Sequence, residues 1–243
     1  MTPRSATRCT PVLIPSVYLG PAAWQPVAAA MRRLGLTAVV PTPPVPAVAD
    51  PAVVLATLRD QLPERDDLVL VPHSNAGLYV PGLVTDPRVR NVVFVDAVLP
   101  PPTGDLPTAP APMQDLLRDR VDADGRLPPW TDWWPEDDVA GLFPDAATRR
   151  RVAAEQQRVP FGYLSARVDL PAGWDHVPAA YLAFGDGYAA ELADARGRGW
   201  PVHAMTGGHL HMVCDPEAVT AEILRLASAS TDPARRGGLD PPT

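Results

Sequence analysis

Four polar residues, Ser74, Asp96, Asp186 and His209, each stand where a short apolar run gives way to a break. In "DLVLVPHSNAGLYVPGL" the run breaks at Pro72-His73-Ser74-Asn75-Ala76-Gly77 and resumes as a stretch compatible with helix. "NVVFVDAVLP" ends its run at Asp96, "YLAFGDGY" at Asp186, and "PVHAMTGGHLH" places His209 behind Gly207-Gly208. A serine, an acid and a histidine in that chain order are the parts of an acyl-transfer triad. The serine hydroxyl is a poor nucleophile until a base takes its proton. The imidazole works in one tautomer only, and a carboxylate behind it fixes that tautomer and stabilises the imidazolium. Each residue also has a plain reading: Ser74 as a helix-entry serine, His209 as a loop histidine like His176 and His203, and a strand-ending Asp as a structural group. Two acids compete for one role. Both stand between Ser74 and His209, and Asp96 ends its strand more cleanly.

The elements that must carry these residues follow from periodicity. "PVLIPS", "LTAVVPTPP", "DLVLVP" and "RNVVFVDAVLP" read as strands. Between them, "AAWQPVAAAMRRLG", "DPAVVLATLRDQLP" and "NAGLYVPGLVTD" read as helices, the second with Asp50 as cap and Pro51 in its first turn, the third with a kink at Pro81. "AAYLAFGD" and "WPVHAMTGG" continue the strands, and "GYAAELADARGRG" and "DPEAVTAEILRLASA" the helices. Alternation of this kind predicts an α/β protein, a mainly parallel sheet with helices on both faces. In such sheets sites form at the carboxyl ends of the strands, where all four residues fall.

The pattern lapses between 100 and 175, a stretch rich in Pro, Trp and acidic residues. Helix candidates there are "APMQDLLRDRV" and "DAATRRRVAAEQQ". The division expected is a core of 1–99 and 176–229, a small helical cap or lid at 100–175, and a flexible tail at 230–243. The cluster "LPPWTDWWPEDD" supplies Trp130, Trp133 and Trp134, either as the small core of the insertion or as an apolar wall over a pocket, with Trp133 and Trp134 expected over its mouth. Glu136-Asp137-Asp138 reads as a solvated helix start.

Composition narrows the chemistry. The chain has 243 residues, 46% of them hydrophobic and 20% charged, which is a globular composition. The sequence contains no Lys, so Schiff-base chemistry and a lysine base are excluded. A net charge of -7 argues against nucleic acid or an anionic membrane as partner. No Cys/His cluster has zinc spacing, and Cys9 and Cys214 permit at most one disulfide. No metal and no cofactor is expected. The opening stretch "MTPRSATRCTPVLIPSVYLG" is too short and broken for a signal peptide or anchor, so a cytoplasmic location is expected.

In four segments the sequence resembles the α/β-hydrolase superfamily, most closely the small branch that contains plant methylesterases and hydroxynitrile lyases. "VPHSNAG" is similar to its nucleophile elbow, "VVFVDAVLP" to the next strand and its exit, "YLAFGDGY" to the strand that delivers the acid, and "GGHLHMVCDPEAVTAEIL" to the histidine loop and final helix. The resemblance implies Ser74 as nucleophile, Asp186 as acid and His209 rather than His211 as base. It also implies oxyanion donors at the backbone N–H groups of Asn75 and Val17. Two departures stand out: Pro72 where elbows commonly carry glycine, and Pro15-Ser16 where many members have His-Gly.

The expected activity is hydrolysis of a small or medium ester, thioester or lactone with an apolar part, through an acyl-enzyme. His73, Trp130, Trp133, Trp134 and His211 are the candidate substrate contacts. The departures keep two alternatives open: a lyase, cyclase or dehydratase using the same Ser and His, and a ligand-binding protein with a vestigial triad. The oligomeric state is left open.

Overall fold

The computed structural model describes residues 9–44 and 50–231. The first half of the chain forms β1 (Thr10–Ile14), α1 (Gln25–Arg33), α2 (Pro51–Asp60), β2 (Leu68–Ser74), α3 (Val80–Leu83) and β3 (Val89–Ala97). Next come β4 (Gly104–Pro107), α4 (Ala111–Leu117), α5 (Glu136–Ala140), α6 (Ala146–Glu155) and β5 (Arg167–Leu170). The chain closes with β6 (Ala179–Phe184), α7 (Ala189–Gly197), β7 (Val202–Met205), α8 (His211–Cys214) and α9 (Pro216–Ser230).

Five strands make one sheet in the order β1-β2-β3-β6-β7, every neighbouring pair parallel. β1, β2 and β6 are buried along their whole length. Burial of both faces explains why these strands read as continuous apolar runs rather than alternating ones. α2 and α9 start as their sequences require: the side chain of Asp50 accepts from Ala52 N (2.8 Å), and that of Asp215 from Ala218 N (3.0 Å).

Three local expectations are corrected. "LTAVVPTPP" is no strand; it contributes one parallel bridge, Val39 to Val12, held by Leu13 N to Val39 O (2.8 Å) and Val39 N to Pro11 O (2.9 Å). Pro41, Pro43 and Pro44 lack the N–H groups that would extend the ladder. "NAGLYVPGLVTD" is a 3-10 turn over Asn75–Tyr79 followed by α3, and Pro81 lies in the first turn of α3, where it causes no kink. The segment between β3 and β6 contains an antiparallel ladder, β4 with β5, that no periodicity announced.

Cys9 and Cys214 are free thiols. No helix among the described residues is long and apolar enough to cross a membrane. Of the tail expected at 230–243, the residues from 232 onward lie outside those described, as do residues 1–8 of the opening stretch.

Candidate active site

Ser74 ends β2 at φ 57° and ψ -130°, a region that side-chain-bearing residues seldom adopt. The contacts around it enforce that conformation. Ser74 O accepts from Val98 N (3.0 Å), which ties the corner to the exit of β3. Gly77 then lets the following turn pass against the same exit, since a Cβ there would stand 2.0 Å from the Val98 carbonyl oxygen. Asp96, one strand over, also has positive φ, 44°. The β2–β3 register shifts between His73 and Ser74, so the two strands leave the ladder together. The hydroxyl of Tyr181 on β6 accepts from Ala97 N (3.0 Å) and donates to Ala97 O (2.5 Å), bracing the turn that presents Asp96.

The carboxylate of Asp96, 1% exposed, joins two elements. Its Oδ1 accepts from Phe184 N (2.9 Å) and its Oδ2 is 2.6 Å from His209 Nδ1. This bond puts the Nδ1 proton between acid and imidazole and leaves Nε2 for the cavity that His209 lines. Aromatic rings hold the imidazole from several sides: Tyr188 stacks at 5.5 Å and 20°, Trp130 lies at 5.9 Å, and His73 at 4.4 Å.

His73 Nε2 donates to the backbone carbonyl of His209 (2.9 Å), fixing the histidine loop to β2. Burial, with the neighbouring His209 charge second, holds the His73 pKa well below its usual value, so His73 is a neutral brace. Ligand-type atoms of His73, Asp96 and His209 lie within 4.8 Å of one another, but their mutual hydrogen bonds account for that closeness without an ion.

Ser74 Oγ makes no hydrogen bond to His209. It lies close enough to the Tyr188 hydroxyl to offset part of the rise that burial gives that phenol. Catalytic contacts of this kind are commonly loose without substrate. Ser74, Asn75, Asp96 and His209 all line one cavity of about 610 Å³.

The other expected residues separate. Asp186, the preferred acid, is exposed and lines the cavity without reaching His209, whose Nδ1 is taken by Asp96. Trp130 and Trp134 line the cavity. Trp133, expected beside Trp134, is 1% exposed, packs on Tyr18 at 4.9 Å and donates from Nε1 to Pro128 O (2.8 Å). It is core, because its indole N–H finds its acceptor inside the insertion.

His211 packs on Phe184 at 5.4 Å, and neither it nor His73 lines the cavity. The Val17 N–H, expected as an oxyanion donor, instead donates to Asn75 Oδ1 (3.1 Å). Asp138, expected in a solvated helix start, lines the cavity. Tyr181 and Tyr188 were missed: nothing in their spacing marks them, although Tyr188 stands two residues after a residue that was singled out.

Neither the protein-family models nor the curated proteins yield a match to the sequence. Solved structures do. An extracellular α/β-hydrolase from a Paenibacillus species, described as sharing structural and functional homology with tobacco salicylic acid binding protein 2, superposes with a TM-score of 0.71 at 18% identity, over 90% of this chain and 99% of that one. This chain has the α/β-hydrolase fold. Two more solved structures match over most of the chain. A pyrethroid hydrolase matches with a TM-score of 0.68 at 19% identity, over 92% of this chain and 99% of that one. A tomato methylketone synthase I variant bound to beta-ketoheptanoate matches with a TM-score of 0.70 at 16% identity, over 93% of this chain and 100% of that one.

Proposed function

We propose that the protein is a serine hydrolase acting on an apolar ester, thioester or lactone. The observation that carries this reading is the bond of Asp96 to His209 Nδ1 in a cavity that Ser74, held at positive φ, also lines. Ser74 Oγ adds to the acyl carbonyl carbon while His209 Nε2 takes its proton, and Asp96 stabilises the resulting imidazolium. As the tetrahedral intermediate collapses, His209 gives that proton to the leaving oxygen or sulfur. The acyl group remains on Ser74. Water, deprotonated by His209, then releases it as the acid.

Cavity chemistry supports an apolar acyl part. Val98, Met113, Trp130, Trp134, Leu142 and Phe184 are among its lining, and the acidic groups there are Asp96, Asp138, Asp186 and Glu191. Among the described residues no arginine lines it, so an acyl chain ending in a carboxylate would find no counter-ion from them.

A second reading keeps Ser74 and His209 as acid and base of a lyase or related non-hydrolytic enzyme. The occupied Val17 N–H favours it, because the usual second oxyanion donor is engaged within the protein. The fold neighbours include both a hydrolase and a synthase, so the fold leaves both reactions open.

The test is labelling with a fluorophosphonate together with turnover of p-nitrophenyl acyl esters. Rapid labelling of Ser74, ester turnover, and loss of both in a folded Ser74→Ala protein are expected. Labelling without turnover of any ester would favour the second reading, and wild-type turnover by Ser74→Ala would remove both.

A further inference from the structure

The loop after β1 and the corner after β2 meet through one side chain. Asn75 Oδ1 accepts from Ser16 Oγ (2.8 Å) and from Val17 N (3.1 Å). Ser16 Oγ in turn accepts from Tyr18 N (3.2 Å), so its own proton is directed to Asn75. Since the Val17 N–H can only donate, the oxygen of the Asn75 carboxamide must face that loop and the nitrogen must face away. Asn75 Nδ2 is buried and has no hydrogen-bond partner among the described residues, in a residue only 4% exposed. A contact with the Tyr18 hydroxyl, too poor in geometry to count as a hydrogen bond, favours ionisation of that phenol against the larger effect of burial. Tyr18 and Asn75 both line the cavity beside Ser74.

A buried donor left unpaired carries the cost of its lost hydration with nothing to offset it. Such a group, on a cavity-lining residue next to the nucleophile, matches the donor a developing oxyanion needs. We propose that the Asn75 carboxamide Nδ2 is the second oxyanion donor of this enzyme, acting beside the Asn75 backbone N–H in place of the Val17 N–H. The proposal rests on the acyl-transfer reading. Asn75 thereby has two tasks: its oxygen closes the loop after β1, and its nitrogen binds the negative oxygen of the tetrahedral intermediate. The Pro15-Ser16 departure fits this arrangement, since the Ser16 hydroxyl is one of the two groups that set the orientation of the amide.

Two measurements test it. The first uses the wild-type protein with a trifluoromethyl ketone bearing an apolar chain, which forms a tetrahedral adduct with Ser74. A crystal structure of the adduct should place its oxygen about 2.7–3.1 Å from Asn75 Nδ2. An oxygen on Val17 N, with the Asn75 side chain displaced, would overturn the proposal. Absence of any adduct, together with absence of ester turnover, would remove the acyl-transfer reading and the proposal with it.

The second measurement compares an ester with its thionoester. Asn75→Ala should lower kcat for the ester about 10²–10³-fold with little change in KM. It should also shrink the ester-to-thionoester rate ratio, because sulfur gains less from a donor placed for oxygen. A rate equal to or above wild type would show that Asn75 only obstructs Val17, and the proposal would fall. Asn75→Asp keeps the acceptor toward Ser16 and Val17 while exchanging the donor for an acceptor. It should lose at least as much rate, and retained activity in a folded Asn75→Asp protein would count equally against the role.

Discussion

Asp96 is a buried carboxylate with a donor for each oxygen, Phe184 N on one and His209 Nδ1 on the other. Asp186 has neither, and it is exposed. Removing charge from the two positions should therefore have unequal effects. Asp96→Asn would place an amide against Nδ1, favour the wrong imidazole tautomer and lower kcat by about 10⁴-fold. Asp186→Asn should stay within a few-fold of wild type on the same neutral ester. Steady-state kinetics of both single mutants decide the matter, and the reverse order of severity would move the role to Asp186. His73 is the instructive residue beside them. Its position next to the nucleophile pointed to substrate, yet its ring bonds the backbone of His209 and is held neutral by burial. A neutral brace adds no positive charge when His209 becomes imidazolium.

The corner between β2 and the 3-10 turn over Asn75–Tyr79 concentrates the strain of the site. Ser74 and Asp96 both take positive φ without being glycine, which costs on the order of 1–3 kcal/mol each and persists only where surrounding contacts over-determine it. The Val98-to-Ser74 hydrogen bond, the two Tyr181 bonds to Ala97 and the close approach at Gly77 supply that determination. Gly77→Ala should accordingly be severe. Its Cβ would collide with the backbone at Val98, and the loss should be about 3 kcal/mol or more, with loss of Ser74 labelling in parallel. Gly197→Ala is the control: nothing lies within 4 Å of a Cβ at the end of α7, and stability should be unchanged or slightly raised. Thermal melts of the two variants provide the comparison, and a wild-type melting point for Gly77→Ala would refute the packing argument.

At the scale of the molecule, the segment between β3 and β6 meets the sheet's carboxyl edge and closes one side of the cavity, through Ala109, Met113, Trp130, Trp134 and Leu142. Asp138 comes from that segment, Asp186 and Glu191 from the region after β6, so their charges gather from different parts of the chain. Burial is the main cause that raises the Glu191 pKa. Acyl chains ending in a carboxylate should react at least about tenfold more slowly, in kcat/KM, than neutral chains of the same length. Raising the ionic strength should narrow the gap, because Asp138 and Asp186 are exposed to solvent. Equal rates for the two chains at low salt would show that these carboxylates do not act on the substrate.

Alternating strand and helix patterns, with Asp50 and Asp215 as caps, made the layered parallel sheet legible in the sequence, because strands buried on both faces read as long apolar runs. The same patterns placed Ser74, Asp96, Asp186 and His209 at one edge of that sheet. They did not determine which acid meets His209. That choice depends on a register shift between β2 and β3 and on the hydroxyl of Tyr181, which no local pattern encodes. Nor could they show that Trp133 turns inward while Trp134 faces the cavity, since adjacent residues share a composition but not a direction. The pairing of Asn75 with Val17, 58 residues apart, arises only when β1 and β2 lie side by side. Ser74, Asp96, Asp186 and His209 were legible as strand-end residues because that is a property of local segments; the tertiary structure decided their partners, and added Tyr181, Tyr188 and Asp138, because each pairing is a contact between segments distant in the chain.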